Sequence, residues 1–242
     1  MKKRFIKTIT PFQSRMKFSN NYNFKFHITE RLKWMKKYLK NKQLIVEIGS
    51  GNGLSKKILN KKIITTDIFD EKWINFKIDM NKMSLPKKFM GNIDVLIFNH
   101  SLHHSSNPLT TLKKARKLLK KDGKILINDP EISFFFKFFL KICNHERWST
   151  KKNDWKDNNA TGYLLFGNKQ IKDKFMNNYI IEKNNLSEFL IFLNSGGNGI
   201  NAPYIPLNNA LLKFITIIDK LLVLLAPRVF ALNRSVVLKK IK

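Results

Sequence analysis

Cys143 is the only cysteine in the 242-residue chain, so no internal disulfide can form and the fold must rest on packing and hydrogen bonds. Such sparing use of cysteine fits a reducing, cytoplasmic setting. Acids are scarce too: 17 Asp and Glu stand against 46 Lys and Arg, a formal net charge of +29. No run of the chain reads as a membrane span. A spanning helix needs about 20 mostly apolar residues, and the greasy stretch 207–226 is interrupted by Lys213, Asp219 and Lys220 and closed by Pro227. The first ten residues are basic but lack the roughly 7–15-residue apolar core of a secretory leader. What is present is globular: 43% hydrophobic and 26% charged residues, in a chain long enough to bury a sizeable core.

The excess positive charge is mostly lysine. Arginine occurs at seven positions, which leaves 39 lysines spread along the whole chain beside abundant Asn and Ile. Nucleic-acid sites favour arginine for its bidentate fork, so this distribution reads as compositional bias, and a nucleic-acid partner is not expected. The charge still raises affinity for polyanions at low salt.

The densest local signal is Val46-Glu47-Ile48-Gly49-Ser50-Gly51-Asn52-Gly53. Leu44 to Ile48 reads as a buried strand, the glycines as a tight turn, and Leu54 to Asn60 as the start of a helix. Glycines there let a ligand approach the backbone and let the chain adopt positive φ. The dinucleotide fingerprint needs a further glycine at position 54, which is Leu54, and this tilts the ligand away from NAD. Farther on, Ile63 to Thr66 is a second strand pattern ended by Asp67, and Lys77-Ile78-Asp79-Met80 a third. A fourth strand and its loop follow in Ile93 to His104, which carry Asn99, His100, His103 and His104. Asn107 as cap, Pro108 at the first helical position and Leu109, Leu112, Ala115 and Leu119 on one face predict a helix to Lys121, with Gly123 after it and a fifth strand to Asn128.

Taken in this order, residues 44–129 resemble the core of class I S-adenosylmethionine (SAM)-dependent methyltransferases, of the type 11 small-molecule branch. The resemblance implies a doubly wound, Rossmann-like α/β fold with a seven-stranded, mostly parallel sheet, and SAM as cofactor. It implies that Glu47 and the turn of Gly49, Gly51 and Gly53 hold the amino-acid end of SAM, that Asp67 takes the ribose hydroxyls, that Asp79 and Met80 meet the adenine, and that Asn99 shapes the pocket. An ionised acceptor suits two hydroxyl donors, each such bond contributing roughly 1.5–3 kcal/mol. His104, and after it His103, are the candidate general bases, because they follow the fourth strand where a parallel sheet forms its ligand crevice. No metal is expected, since the three histidines lack a carboxylate partner in their own loop. Asp129, Glu131 and His145 are lesser candidates.

The flanks imply the remaining organisation: an N-terminal segment and amphipathic helix in 1–43, the cofactor-binding core in 44–130, and a substrate cap with the last strands in 131–242. Ile28, Leu32, Met35 and Leu39 predict one helix over 27–40. Tyr179–Lys183 and Ser235–Ile241 read as strands six and seven. Phe134, Phe135, Phe136, Phe138 and Phe139 cannot all face one side of a helix, so that segment is either buried on several faces or greasy on its surface. The expected activity is methyl transfer to a small-molecule, sugar or lipid-linked acceptor. Peripheral membrane contact through the C-terminal helices is an open partner, against packing of those helices on the core. The alternatives are a ribose- or N7-modifying RNA methyltransferase, a dinucleotide enzyme and a non-catalytic SAM-binding protein. An Asn/Asp-Pro-Pro-aromatic motif and a Pro-Cys nucleophile, the marks of base-modifying enzymes, are both absent.

Overall fold

Strands β1 (Ile45–Ile48) and β4 (Ile93–Asn99) carry almost no polar face, the pattern of strands covered on both sides. The computed structural model describes residues 9–59, 61–143, 147–168 and 176–241, and sets both strands in the middle of a seven-stranded sheet. With β2 (Ile64–Asp67), β3 (Phe76–Lys77), β5 (Leu119–Pro130), β6 (Tyr179–Ser187) and β7 (Asn233–Lys240), the spatial order is β3-β2-β1-β4-β5-β7-β6. Strands β1 to β5 pair in parallel, whereas β7 runs antiparallel to both neighbours. The expected doubly wound α/β sheet is therefore present. Chain order reverses between β1 and β4, and Ile48 pairs with Phe98 and Phe98 with Ile127, so the strand ends lie level where a crevice forms.

Several boundaries differ from expectation. A helix α1 (Pro11–Asn20) precedes the predicted one, started by a reciprocal cap between Thr10 and Gln13. The predicted helix over 27–40 is two, α2 (Tyr22–Lys33) and α3 (Lys36–Leu39). Between them Met35 N–H donates to Leu32 O and Tyr38 N–H to Met35 O, a tightening that seats Met35 in the core. After α4 (Leu54–Ile58), helix α5 (Pro108–Leu118) is capped by Asn107 as predicted but stops three residues early. Leu119 turns extended and pairs with Ile93, so sheet pairing displaces the last helical turn. The final strands also begin or run beyond their predicted limits, at Tyr179–Ser187 and Asn233–Lys240.

The cap is built from two insertions. Helices α6 (Phe134–Cys143) and α7 (Thr161–Phe166) follow β5. Between β6 and β7 lie α8 (Leu190–Leu193), α9 (Asn209–Leu225) and α10 (Pro227–Phe230). His145 lies outside the described residues. Both readings of the phenylalanine cluster hold at once: Phe136 and Leu140 are buried, while Phe134, Phe138 and Ile142, four residues apart, are exposed. On α9 only Leu212, Asp219 and Val223 are buried, so most of that helix does not pack on the core. Among the described residues no helix is long and apolar enough to cross a membrane.

A buried ion cluster joins the N-terminal helices to this cap. Arg31 of α2 donates through Nε to Glu188 Oε1 at 2.8 Å, and His27 Nε2 lies 3.0 Å from Glu188 Oε2. Burial by itself pushes the Glu188 carboxyl upward, but the Arg31 guanidinium and His27 overcome it and hold the group well below the ordinary range. Burial and Arg31 push His27 below its usual value. Removing one member leaves a buried charge uncompensated, which typically costs about 3–5 kcal/mol. Glu188→Ala is therefore expected to lose stability on that scale in urea unfolding at pH 7; a loss under ~1 kcal/mol would show that the cluster is not structural.

Candidate active site

The turn after β1 is made by glycines at φ of 70, 48 and 64° at positions 49, 51 and 53. A Cβ on Gly49 would sit 2.6 Å from Ser101 Cβ, so this glycine lets the turn lie against the loop after β4. Gly51 has open space where a side chain would be. Gly53 is closed over, since a Cβ there would meet Trp73 Cδ1 at 2.5 Å. Trp73 Nε1 donates to Gly51 O at 2.8 Å, and Arg15 lies over its ring while donating to Asn52 O at 2.8 Å. The turn is thus braced from outside and open within.

Its open side faces a cavity of about 230 Å³ lined by Gly49, Gly51, Asn99, His100, His103 and His104 among others. The opposite wall is apolar, with Phe136, Phe139, Leu140, Phe192 and Ile200. Among the described residues Arg31 is the only Lys or Arg in the lining. Asp67, Asp79 and Met80 stand beside this space and do not line it. Asp67 accepts from Gly51 N–H at 2.6 Å, and Asp79 holds the next turn by accepting from Asn81 N–H at 2.8 Å. Ile68 and Phe69, directly after Asp67, are exposed.

Glu47 is buried under the turn, and its Oε2 has no hydrogen-bond partner among the described residues. Burial drives its carboxyl up to about 7 against the pull of Ser55 and Ser50. Asn99 is fixed by donating to Ser55 Oγ at 3.2 Å and accepting from Asn128 Nδ2 at 3.3 Å. Asn128 Oδ1 in turn accepts from Asn233 Nδ2 and Ser235 Oγ, so one polar chain runs across β4, β5 and β7.

The three histidines differ. His100 sits at φ 51°, its Nε2 is shut off from solvent without a partner among the described residues, and burial with Arg31 and His103 nearby holds its imidazole well below the usual value. It stays neutral at pH 7. His103 is buried on a 3₁₀ turn, with Nδ1 2.8 Å from Asp129 Oδ1 at the end of β5. His104 is largely exposed and pairs with exposed Asp157 at 3.0 Å. Glu131 is taken up by Arg234 at 2.5 Å.

A family model of methyltransferase domains matches residues 20–177. The chain belongs to that family. No curated protein matches this methyltransferase. Among solved structures it is similar to a SAM-dependent methyltransferase from Archaeoglobus fulgidus, at 18% identity and TM-score 0.55, covering 88% of this chain and 93% of that one. It is similar also to the MccD protein, at 9% identity, TM-score 0.51 and coverage of 88% and 96%. A third is an S-adenosylmethionine-dependent methyltransferase from Mesorhizobium loti, at 11% identity, TM-score 0.47 and coverage of 86% and 95%. The first two support the fold.

SAM is the cofactor of this methyltransferase, and two features of the site fit it. The buried Glu47 Oε2, without a partner among the described residues, would suit an amino-acid ammonium, and the space beside Gly51 would let a ligand reach the backbone. Reading the sequence missed Arg31 and Trp73. Arg31 was detectable, since it falls three residues after Ile28 and four before Met35, on the buried stripe, where a cation demands an acid. Trp73 had no local signal.

Because the folded Glu47 carboxyl titrates near 7 and the unfolded one near 4.5, wild-type stability falls as pH rises between those values. Glu47→Gln is expected to unfold at higher urea than wild type at pH 8, by up to ~3 kcal/mol, with the gap closing toward pH 4.5. Equal stability at both pH values would remove the buried, uncompensated carboxyl.

Proposed function

We propose that this methyltransferase transfers a methyl group to a small, largely apolar or lipid-linked acceptor, with His103 as general base. The observation that carries the reading is the cavity itself: the glycine turn and His103 face a wall of Phe136, Phe139, Leu140 and Phe192. An RNA acceptor would call for cations along the lining, where Arg31, the only one among the described residues, is already engaged by Glu188.

When bound, SAM supplies a methyl group on a sulfonium, already electrophilic. The protein's task is then alignment, which can remove several kcal/mol of barrier. Glu47 would hold the amino-acid end, Asp67 the ribose hydroxyls, and Asp79 and Met80 the adenine side, with Asn99 shaping the space between. His103 removes the acceptor's proton. Asp129 orients the imidazole through Nδ1 and stabilises the imidazolium that forms, which favours His103 over the exposed His104.

Calorimetry with SAM and a turnover assay on a panel of amphiphilic acceptors test this together. Asp67→Ala is expected to weaken SAM at least tenfold, in line with the loss of one or two charge-assisted bonds of about 1.5–3 kcal/mol. His103→Ala is expected to keep SAM affinity and lower turnover by roughly 10²–10⁴-fold, and His104→Ala to do far less. Wild-type turnover in His103→Ala would remove it as base.

Access to such an acceptor is supported by the surface. Helix α9 turns Phe214, Ile217, Leu221, Leu224 and Leu225 outward, beside exposed Lys213, Lys220 and Arg228. We assign this face to an anionic lipid surface, since apolar insertion and basic charge act together there. Leu224→Glu with Leu225→Glu is expected to cut binding to phosphatidylglycerol vesicles at least tenfold at low salt. Undiminished binding would discard the face.

A further inference from the structure

A second, larger cavity of about 580 Å³ lies between α2, β6 and α9. It falls within the roughly 300–1,000 Å³ typical of small-molecule sites. Among the described residues Arg31 alone lines both it and the cavity at the glycine turn, and none of the residues assigned to SAM, nor His103, lines it. One part of its wall is apolar, with Leu186, Ile191, Val223, Leu224 and Pro227. Leu224 also belongs to the exposed face of α9.

The polar groups of the lining sort into two kinds. Every acid is already engaged. Glu188 is held by Arg31 and His27, Asp219 accepts from the backbone N–H groups of Phe189, Leu190 and Ile191, and Glu30 pairs with Lys33 at 3.1 Å. The donors are not all so committed. Trp34 Nε1 is shut off from solvent and has no acceptor among the described residues, and neither has Arg31 Nη1, on a residue only 5% exposed. The ammonium of Lys183 stands 3.9 Å from the centroid of the Trp34 ring. Its partial burial, with Lys37 nearby, lowers the pKa of that ammonium to about 8. A buried donor left unsatisfied costs free energy, and an anion would satisfy it.

We infer that this cavity binds a single-chain anionic amphiphile, with its head at Lys183 and the Trp34 indole N–H and its chain along Ile191, Val223 and Leu224. A carboxylate and a phosphate monoester offer the same chemistry, so a fatty acid or a lipid phosphate would serve. The inference uses none of the residues assigned to SAM or to proton removal, and shares only Leu224 with the face of α9 assigned to a lipid surface.

Dodecanoate, dodecyl phosphate, dodecanol and inorganic phosphate, each kept below self-association, would be titrated into the full chain by calorimetry. The Trp34 indole N–H resonance, assigned with Trp34→Phe, would be followed in parallel. One-to-one binding is expected for at least one of the two dodecyl anions, and which of them binds tells carboxylate from phosphate. Dodecanol and inorganic phosphate should bind at least tenfold more weakly, and the Trp34 signal should move downfield on saturation. Lys183→Ala should weaken the anion at least tenfold, Lys183→Arg should restore most of it, and both should keep wild-type SAM affinity. Multiple, non-saturating uptake, equal affinity for dodecanol, or an unmoved Trp34 resonance would overturn the inference. Loss of SAM binding in wild type with dodecanoate binding intact would strike only the cofactor assignments.

Discussion

The buried cluster of Arg31, Glu188 and His27 is the constraint on which the site's construction rests. Glu188 occupies the junction between β6 and α8 with φ 65°, a left-handed conformation unusual for a residue with a side chain. That conformation and the desolvation of two charges are both unfavourable by themselves. They persist because Arg31 approaches with two nitrogens and His27 with a third, so both carboxylate oxygens of Glu188 have partners. The cluster fixes α2 to the start of the cap. Both cavities are bounded by α2 and the cap, and Arg31 is common to both linings. The walls therefore take their spacing from this cluster together with the bonds that Asn23 donates to Asn194 O and Ile205 O.

Within that frame, the chemistry is placed by level strand ends. The polar chain from Ser55 through Asn99 and Asn128 to Asn233 and Ser235 runs across the sheet where β4 and β5 finish and β7 begins. On the same rim Asp129, the next residue of β5, meets His103 from the loop after β4. The glycine turn comes from β1, on the other side of the reversal in strand order. The turn and His103 line one cavity at the switch point, where open parallel sheets ordinarily place ligands. His100 and Glu47 keep buried polar atoms without partners among the described residues at this rim.

The surface carries two kinds of excess, apolar and cationic. Lysine is distributed along the whole sequence, so total charge says little about place. The outward leucines and phenylalanine of α9 are different in kind, because soluble surfaces seldom gather such side chains on one helix. Helix α10 packs against both α6 and α9. Position, more than net charge, sets this surface apart.

Much was legible in the chain itself wherever a local rule operated. The glycine turn at positive φ, the buried runs of β1 and β4, the Asn107-Pro108 helix start and the stripe of Ile28, Leu32, Met35 and Leu39 all follow from backbone geometry and burial, which neighbours within a few residues encode. The family and its cofactor were readable from the same stretch. What the tertiary structure alone decided were the long-range meetings: His103 rather than His104 with Asp129, Trp73 clamping Gly51, and Arg31 with Glu188 across 157 positions. Even the end of α5 belongs here, since Leu119 left its helix for a partner in β4. Periodicity reports which face of a segment is buried; it does not report what that face will touch, because the partner is chosen by the path of the whole chain.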